Sequence, residues 1–418
     1  MSTTIQLPYG DASLSVAIPS QNLLGVVMPR QNVVEQLDED KLLRAALDHP
    51  IGTPPLRDLA RRGQRVAIVT SDLTRPCPSA RLLPYILDEL AAAGVPDEDI
   101  FIVMGLGLHR PMSAAEIDQA VGPAVHRRIA VLNHDANDII RLGVTSRGTP
   151  VEIFRPVVEA DLRICLGNLE FHWFAGYSGG AKAILPGVAS KATVTANHGL
   201  MIQPGVGAGR IQDNPLRMDI EEGVAMLGVD FILNVVVDGE HRIIGAVAGD
   251  VTAAHRRGCQ MIAERGMVKV ERKADIVIAS AGGFPKDINM YQAHKGLENA
   301  SYFVRDGGVI ILAAECREGW GNQTFETWMK AARSPQDILE RIQREFQLGG
   351  HKAAGIANIE RRARVFLTSA MPDDQVNQMF MTPFAGPQQA LEAAFAELGA
   401  DSQALALPLA GSIIPSVS

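Results

Sequence analysis

Hydrophobic and polar positions alternate at the start of the chain and then change to a longer repeat. Residues 4–7 and 13–18 alternate around the turn Tyr9-Gly10-Asp11, which predicts a β-hairpin. Beyond the hairpin, short apolar runs rich in β-branched residues alternate with amphipathic segments of helical length. This pattern predicts a helix at 79–93 and strands at 65–70, 100–104, 130–132, 162–166 and 231–237. Strands that alternate with helices in this way are typical of a mainly parallel α/β sheet.

A second series of strands and helices begins after the charged stretch 268–273, with strands predicted at 275–280, 308–312 and 364–367. A chain of 418 residues is also too long for one ordinary core. We therefore predict an α/β protein of two domains with Rossmann-like, mainly parallel sheets. The N-terminal domain is expected at 1–270 and the C-terminal domain at 271–418, with the last residues free to return to the first domain.

Composition and charge exclude several classes of protein. Hydrophobic residues make up 47% of the chain and charged residues 21%, as in soluble globular proteins. The formal net charge of -8 argues against a nucleic-acid-binding surface. The four cysteines include no CxxC pair, so neither a thiolate zinc site nor a disulfide framework is predicted. Neither a signal peptide nor an apolar stretch of about 18 residues is found. We expect a cytoplasmic protein that binds no membrane.

Polar residues follow several of the predicted strands directly. The segment 71–76 (SDLTRP) follows one strand, His109 follows the next, and His172 follows a third. Open α/β sheets bind ligands at the carboxyl ends of their strands. Imidazole titrates near neutral pH, so His109 and His172 are candidate acid–base catalysts, although each could also be a structural histidine. Six further histidines lie in charged or turn-like surroundings and are predicted to be solvated: His49, His126, His134, His241, His255 and His351.

Residues 176–187 (GYSGGAKAILPG) form a glycine-rich segment around Lys182. Glycines allow a close approach of the backbone to a ligand, and a lysine in such a loop can bind phosphate or form a covalent link. The segment is not a Walker A loop, because Ala181 separates the glycines from Lys182 and neither Ser nor Thr follows. A second glycine-rich stretch at 205–210 follows no convincing strand, so it is interpreted as a turn and not as a dinucleotide-binding loop.

In order and spacing, these motifs resemble the nickel-dependent lactate racemase family along nearly the whole chain. The matching positions are SDLTRP at 71–76, GLGLHR at 105–110, His172, GYSGGAKAILPG at 176–187, Asn197-His198 and YQAHKG at 291–296. The resemblance implies an isomerase that racemises or epimerises a 2-hydroxy acid at C2. We expect its active site in the cleft between the two domains.

The resemblance also implies the cofactor and the roles of the site residues. The cofactor is a nickel-pincer nucleotide (nickel pyridinium-3,5-bisthiocarboxylic acid mononucleotide), linked to Lys182 by a thioamide bond. His198 supplies a nitrogen ligand to nickel, which suits a square-planar metal. The resemblance implies acid–base catalysis for His109 and His172. It implies cofactor binding, besides Lys182 and His198, for Asp72, Leu73, Thr74 and Arg75. It implies substrate binding for Arg75, Gln292 and Lys295.

The chemistry of a racemase agrees with these assignments. Both hands of the substrate must react, so a proton acceptor on each side is useful, and His109 and His172 can supply the pair. The resemblance implies that the C2 hydrogen leaves as hydride to the cofactor, which gives a planar 2-keto acid. Arg75 and Lys295 suit the substrate carboxylate, and Gln292 lies one helical turn from Lys295. The expected partners are a small 2-hydroxy acid and cofactor-assembly proteins, with neither nucleic acid nor membrane; a homo-oligomer is compatible with the sequence.

Three alternatives stay open on the sequence alone. The first is a sugar-acid (aldonate) epimerase that uses the same cofactor and residues. The second is a catalytically idle homologue that binds the cofactor. The third, and the weakest, is an NAD-dependent dehydrogenase. Within the main hypothesis the sequence also leaves open whether the substrate is lactate, malate, an aromatic 2-hydroxy acid or a sugar acid.

Overall fold

The structure is a computed structural model that describes residues 1–29, 37–238 and 240–416. The chain divides into two compact units. The central unit comprises Val33–Glu264, and the terminal unit comprises Met1–Asn32 together with Arg265–Ser418. Among the described residues, no helix is long and apolar enough to cross a membrane.

The described residues form twenty strands. In chain order they are β1 (Ser2–Tyr9), β2 (Ala12–Pro19), β3 (Leu23–Val26), β4 (Val66–Ser71), β5 (Ile100–Gly105), β6 (Ala130–Asn133), β7 (Ile139–Val144), β8 (Pro150–Phe154), β9 (Leu162–Leu169), β10 (Phe171–His172), β11 (Gly176–Tyr177), β12 (Phe231–Val237), β13 (Ile243–Gly249), β14 (Met267–Lys269), β15 (Ala274–Ser280), β16 (Val304–Ala313), β17 (Arg364–Thr368), β18 (Thr382–Pro383), β19 (Ala404–Leu407) and β20 (Ile414–Ser416).

The same residues form fifteen α-helices. They are α1 (Glu39–Asp48), α2 (Leu56–Leu59), α3 (Ser79–Ala92), α4 (Ala114–Val121), α5 (Pro123–His126), α6 (Arg155–Val158), α7 (Lys191–Gly199), α8 (Pro215–Leu227), α9 (Ala253–Gly266), α10 (Met290–Ser301), α11 (Gln323–Ala331), α12 (Pro335–Arg344), α13 (Gly350–Glu360), α14 (Asp373–Gln378) and α15 (Pro387–Leu398).

The central unit is built on a six-stranded sheet with the order β13-β12-β9-β4-β5-β6. All neighbours are parallel except β13, which runs antiparallel to β12. The chain adds β5 and β6 on one side of β4 and then returns to add β9 and β12 on the other side. Open α/β sheets bind ligands outside the carboxyl ends of the strands at such a reversal. The topology therefore directs a ligand to the loops that follow β4, β5 and β9.

Helix α3 shows how the local pattern produces this sheet. Its apolar residues recur every three or four positions and are buried, whereas β4 carries a continuous run of apolar residues. A strand that is apolar on both faces needs cover on both faces of the sheet, and α3 supplies cover on one of them. The helix contributes Leu82, Leu83, Ile86, Leu87 and Leu90 to a core shared with Val66, Ile68, Ile102, Ile164 and Leu233.

The terminal unit has a six-stranded sheet with the order β18-β17-β16-β15-β19-β3, in which every pair is parallel. The predicted N-terminal hairpin is confirmed, with Tyr9 opposite Ala12. The predicted strands and the predicted helix fall on observed elements, and the prediction of an α/β protein with mainly parallel sheets is confirmed.

The domain limits differ from the predicted 1–270 and 271–418. Residues 1–32 belong to the terminal unit, and the central unit ends at Glu264. The reason is long-range pairing: β3 is hydrogen-bonded to β19, and the backbone N–H of Gly10 donates to Asp287 Oδ2 at 2.8 Å. The β1–β2 hairpin also adds Ile5, Leu7, Val16 and Ile18 to the core of that unit.

Candidate active site

Asp72 and His109 form a hydrogen-bonded pair at the carboxyl ends of β4 and β5. The two strands end side by side, with Ser71 paired to Gly105, so the loops that follow them begin next to each other. The distance from His109 Nδ1 to Asp72 Oδ2 is 2.6 Å. A carboxylate can only accept, so Nδ1 carries the hydrogen and Nε2 remains the atom that can take a proton.

The loop after β4 holds the Asp72 carboxylate in place. Its Oδ1 accepts hydrogen bonds from the Thr74 backbone N–H at 3.1 Å and from the Thr74 hydroxyl at 2.6 Å. Burial acts to raise the pKa of Asp72, but the hydrogen bonds from His109 and Thr74 outweigh it and lower this pKa below its usual value. Asp72 is therefore ionised at neutral pH, and its carboxylate keeps the hydrogen of His109 on Nδ1.

Four of the residues predicted to bind the cofactor share this one turn. Asp72 is buried, whereas Leu73, Thr74 and Arg75 are exposed. The Arg75 backbone N–H closes the turn on Asp72 O at 3.2 Å. A pocket beside the turn reaches the start of α3 and is lined by Ser71, Asp72, Leu73, Arg75, Cys77 and Ser79, among others.

A second group of predicted residues meets around the ring of Phe174. The ring lies edge-on to His172 at 4.4 Å and to His198 at 4.9 Å between ring centroids. The Nζ atom of Lys182 lies 5.2 Å from the centre of the same ring. The structure thus brings together one predicted acid–base histidine, the predicted attachment lysine and the predicted nickel ligand, although they are separated along the chain.

His172 lies in β10, which forms a two-stranded ribbon with β11 and pairs His172 with Gly176. Its Nδ1 accepts a hydrogen bond from the Ala175 backbone N–H at 3.3 Å. A neutral imidazole that accepts at Nδ1 carries its hydrogen on Nε2. His172 therefore presents the opposite tautomer from His109.

The backbone around Lys182 depends on glycine. Lys182 lies in a short 3-10 turn (Gly180–Ala183), and Gly179 and Gly180 have φ angles of 73° and 57°, in the left-handed region. A Cβ on Gly180 would lie 2.7 Å from the His255 ring, and one on Gly179 would lie 2.7 Å from Asn234 Oδ1. Close packing of the turn on these side chains therefore excludes larger residues at both positions.

The Lys182 amine is held in an unusual electrostatic environment. Burial lowers its pKa well below the ordinary value, and the positive charges of Arg75 and Arg217 lower it further, against a smaller opposing effect of Glu170. A neutral amine is the nucleophilic form of lysine. The lowered pKa fits the covalent attachment predicted for this residue.

His198 is buried on helix α7, so its position is set by regular structure and not by a loop. The neighbouring Asn197 amide donates to Asp219 Oδ2 at 2.7 Å, which ties α7 to α8. Within the described ranges, no three His, Cys, Asp or Glu residues group as a metal site. The nickel ligand implied by the resemblance is the single nitrogen of His198, so a cluster of three such residues is not required.

Gln292 and Lys295 lie on α10 in the terminal unit. Both side chains are exposed, and the spacing of three residues puts them on one face of the helix, opposite the buried Met290, Ala293 and Leu297. This confirms the expected helical spacing. Their role in substrate binding stays a prediction.

The prediction that six histidines are solvated is wrong for three of them. His134, His255 and His351 are buried, whereas His49 and His241 are exposed and His126 is partly exposed. The arginines that follow His255 in sequence suggested a solvated face. In the structure α9 turns His255 inward, and its Nε2 bonds to Ser178 O at 2.8 Å. The turn at 205–210 has no strand before it, as predicted.

Sequence reasoning also missed Asn234 and Arg217, which support the Lys182 turn. Asn234 Oδ1 accepts from the Gly180 backbone N–H at 2.7 Å, and Arg217 Nη1 donates to Tyr177 O at 3.4 Å. Asn234 carried a usable signal, because it interrupts the otherwise apolar strand FILNVVV. Arg217 lies in a mixed polar and apolar helix and carried none.

Both halves of the chain match family models of known enzymes. The model described as "Lactate racemase N-terminal domain" matches residues 9–209, and that described as "Lactate racemase C-terminal domain" matches residues 269–414. A lactate racemase from Thermoanaerobacterium thermosaccharolyticum is 34% identical over 421 residues, which cover 98% of this chain and 98% of that protein. The chain belongs to the lactate racemase family.

Further similar proteins support the assignment to the lactate racemase family. A lactate racemase from Lactiplantibacillus plantarum is 32% identical over 415 residues, covering 97% of each protein. The solved structure of the Thermoanaerobacterium thermosaccharolyticum lactate racemase apoprotein superposes with a TM-score of 0.84 and covers 99% of this chain and 100% of that chain. A protein from Thermotoga maritima, at 19% identity and a TM-score of 0.60, shares the fold alone. As a member of a family of racemases, the chain is an isomerase.

Proposed function

We propose that this chain racemises or epimerises a 2-hydroxy acid at C2, with a nickel-pincer nucleotide attached to Lys182. The observation that supports this function is the contact of one ring, Phe174, with His172, His198 and the Lys182 amine. A histidine for proton transfer, an amine for attachment and an imidazole for nickel are the three side chains that such an enzyme needs around its cofactor.

The residues present fit the cofactor. The Lys182 amine, with its lowered pKa, suits a covalent bond, and the His198 imidazole suits nickel in a nitrogen and sulfur donor set. The turn of Asp72, Leu73, Thr74 and Arg75 would line the nucleotide. When bound, the cofactor supplies a hydride acceptor for the C2 hydrogen. Cofactor-assembly proteins would be needed to load it.

The protein side chains handle the proton and the charge of the substrate. In one direction His109 takes the hydroxyl proton at Nε2, and the ionised Asp72 stabilises the imidazolium that forms. His172 serves the other enantiomer from the opposite side. The exposed guanidinium of Arg75 can bind the substrate carboxylate through two N–H groups, and Gln292 and Lys295 are proposed as further substrate-binding residues.

The first experiment tests attachment. We expect protein made together with the cofactor-assembly proteins to carry nickel and an added mass of cofactor size on the peptide that contains Lys182. Lys182→Ala should lose this mass and all racemase activity while it keeps the circular dichroism spectrum of the wild type. An adduct that persists in Lys182→Ala would overturn the assignment of the attachment residue.

The second experiment tests hydride transfer. Lactate is the first substrate to use, because both curated relatives are named lactate racemase. With lactate deuterated at C2, the product should keep most of the label, because a hydrogen transferred as hydride would not exchange with water. Exchange of the label into solvent would indicate a carbanion mechanism with two histidine bases. Full cofactor loading without turnover of lactate would direct the search to larger or sugar 2-hydroxy acids.

A further inference from the structure

The side chain of Arg217 is buried completely beneath the Lys182 turn. Its Nε donates to Glu221 Oε1 at 2.6 Å, and its Nη2 lies 3.0 Å from His255 Nδ1. Glu221 also accepts two hydrogen bonds from Arg256, at 2.8 Å and 2.7 Å. Two guanidinium groups therefore share one carboxylate, which leaves a net positive charge in this cluster. Arg256 is partly exposed to solvent, whereas the Arg217 guanidinium is buried completely and shares its carboxylate with Arg256, an arrangement that is costly to the fold.

His255 connects this charge to the Lys182 turn. Arginine can only donate, so His255 Nδ1 accepts from Arg217, and Nε2 carries the hydrogen that is donated to Ser178 O at 2.8 Å. Burial lowers the pKa of His255 well below its usual value, and the charge of Arg217 lowers it further. A neutral imidazole of fixed tautomer thus links Arg217 to the backbone four residues before Lys182.

The turn also packs on the face of the His255 ring. Gly180 approaches so closely that a Cβ there would lie 2.7 Å from the ring, and its backbone N–H is held by Asn234 at 2.7 Å. The backbone of the turn is therefore fixed from the inside by two side chains, His255 and Asn234. A lysine on a fixed turn keeps its amine in one place.

We propose that Arg217 and His255 are positioning residues for Lys182, which fix the turn that carries it and hold a net positive charge on its inner side. The inference rests on the proposed function only in taking Lys182 as the attachment residue. Its consequence is an amine that stays uncharged, and so able to bond to the cofactor, near neutral pH.

Three charged groups change the pKa of the Lys182 amine from the elements around it. Arg75 after β4 and Arg217 on α8 favour the neutral amine, and Glu170 after β9 favours the ammonium form. His255 on α9 is neutral. Because Arg75 belongs to the proposed substrate-binding residues, Arg217 is the charge that can be changed without removing a substrate contact.

The test measures the reactivity of Lys182 in the full chain without cofactor. Acetic anhydride is added from about pH 6 to about pH 10, and acetylation of Lys182 is read by peptide mass spectrometry, with the exposed Lys41 as internal reference. Arg217→Gln removes the charge and keeps hydrogen-bond donors, whereas Arg217→Lys keeps the charge. For Arg217→Gln we expect the acetylation profile of Lys182 to move by about one unit to higher pH, so that acetylation on the acid side of the profile slows about tenfold.

Arg217→Lys should stay close to the wild type in this assay. Arg163→Gln is the matched control, because Arg163 is also a largely buried arginine of the central unit but lies at the other end of β9. It should lower the melting temperature without moving the acetylation profile of Lys182. A wild-type profile in folded Arg217→Gln, or an equal shift in Arg163→Gln, would overturn the electrostatic part of the proposal.

His255→Gln tests the mechanical part. Glutamine keeps a donor for Ser178 O but removes the ring under Gly180, so acetylation should keep its midpoint while cofactor attachment, read by intact mass, falls several-fold. Unchanged attachment would overturn the role of the ring. If instead no adduct forms on Lys182 even in the wild type, the proposed function fails, while the acetylation profiles still decide whether Arg217 controls the amine.

Discussion

The two predicted acid–base histidines differ in what holds their rings in place: Nδ1 of one faces an acceptor, and Nδ1 of the other faces a donor. His109 lies in a loop with a partly exposed side chain, and its Nδ1 meets the ionised Asp72 at 2.6 Å. His172 lies in a short ribbon, packs on Phe174 and accepts a longer bond of 3.3 Å from the Ala175 backbone N–H. One histidine is oriented by a charge and the other by the main chain and an aromatic ring.

This difference decides which nitrogen of each ring can take a proton. Because a carboxylate accepts, His109 keeps its hydrogen on Nδ1 and offers Nε2 as a base. Because a backbone N–H donates, His172 carries its hydrogen on Nε2 and can accept a proton only at Nδ1 or after a change of tautomer. The partner of Nδ1 thus gives the two histidines different tautomers.

The largest effect on racemisation is expected from removing the imidazole ring of His109 or of His172. His109→Ala and His172→Ala should each reduce net racemisation by about 10²- to 10⁴-fold, because conversion in either direction would use both residues. In a single turnover, each variant should still form 2-keto acid from one enantiomer, and the two variants should prefer opposite enantiomers. Chiral chromatography and assay of the keto acid measure this.

His126→Ala is the matched control for that experiment. The side chains of His126 and His109 have the same exposed fraction, 28%, and His126 also bonds to an aspartate, Asp118, at 2.8 Å. It lies outside the candidate site, so its loss should leave racemisation unchanged. If His109→Ala and His172→Ala both form 2-keto acid from the same enantiomer, the two histidines do not act on opposite faces of the substrate.

The second largest effect is expected when His109 Nδ1 is given a hydrogen-bond donor, as His172 Nδ1 has in the Ala175 backbone N–H. In Asp72→Asn an amide N–H can donate to His109 Nδ1, which moves the hydrogen to Nε2 and removes the base. Racemisation should fall by about 10- to 100-fold, and Asp72→Asn should add little to His109→Ala in the double variant. Asp118→Asn is the control. Additive losses would show that Asp72 acts on something other than His109.

A smaller effect is expected on the side of His172. Phe174→Leu removes the ring that contacts His172, His198 and Lys182, but it keeps an apolar side chain. We expect a loss of about 1 kcal/mol in the free energy of unfolding and about a tenfold loss of racemisation, with the adduct on Lys182 retained. Nickel analysis completes the test. Loss of nickel alone would show that the Phe174 ring supports His198 and not His172.

The smallest effect is the pH dependence of stability that Asp72 contributes. The pKa of Asp72 is lowered in the folded state, so its contribution is fully present above the unfolded value of about 4 and is lost as the pH falls through the folded value. The stability difference between wild type and Asp72→Asn should therefore be constant near neutral pH and shrink in acid. Urea unfolding at several pH values measures it. A difference that grows in acid would contradict the assigned direction.

Much of the candidate site could be predicted because its signals are local. The strand before Asp72, the strand before His109 and the glycines before Lys182 are each recognisable within a dozen residues, since side-chain period and turn chemistry act over that range. The position of His172 after a buried strand is local in the same sense. None of these signals reports which side chains meet across the fold.

The partners of those residues could not be predicted from the chain. Asp72 and His109 are 37 positions apart, and Arg217 and His255 are 38 apart. Their contacts depend on the parallel pairing of whole strands and on the direction in which a helix faces, and a helical pattern with neighbouring arginines wrongly suggested a solvated His255. Long-range pairing also assigned residues 1–32 to the terminal unit.

The α/β class, the positions of the main strands and the candidate site residues could be predicted from the sequence, because periodicity and glycine-rich turns are local features of the chain. The tertiary structure alone decided the tautomers of His109 and His172, the meeting of His172, His198 and Lys182 around Phe174, and the buried charge beneath Lys182. Proton affinity and orientation depend on the nearest atoms in space, and those atoms come from distant parts of the chain.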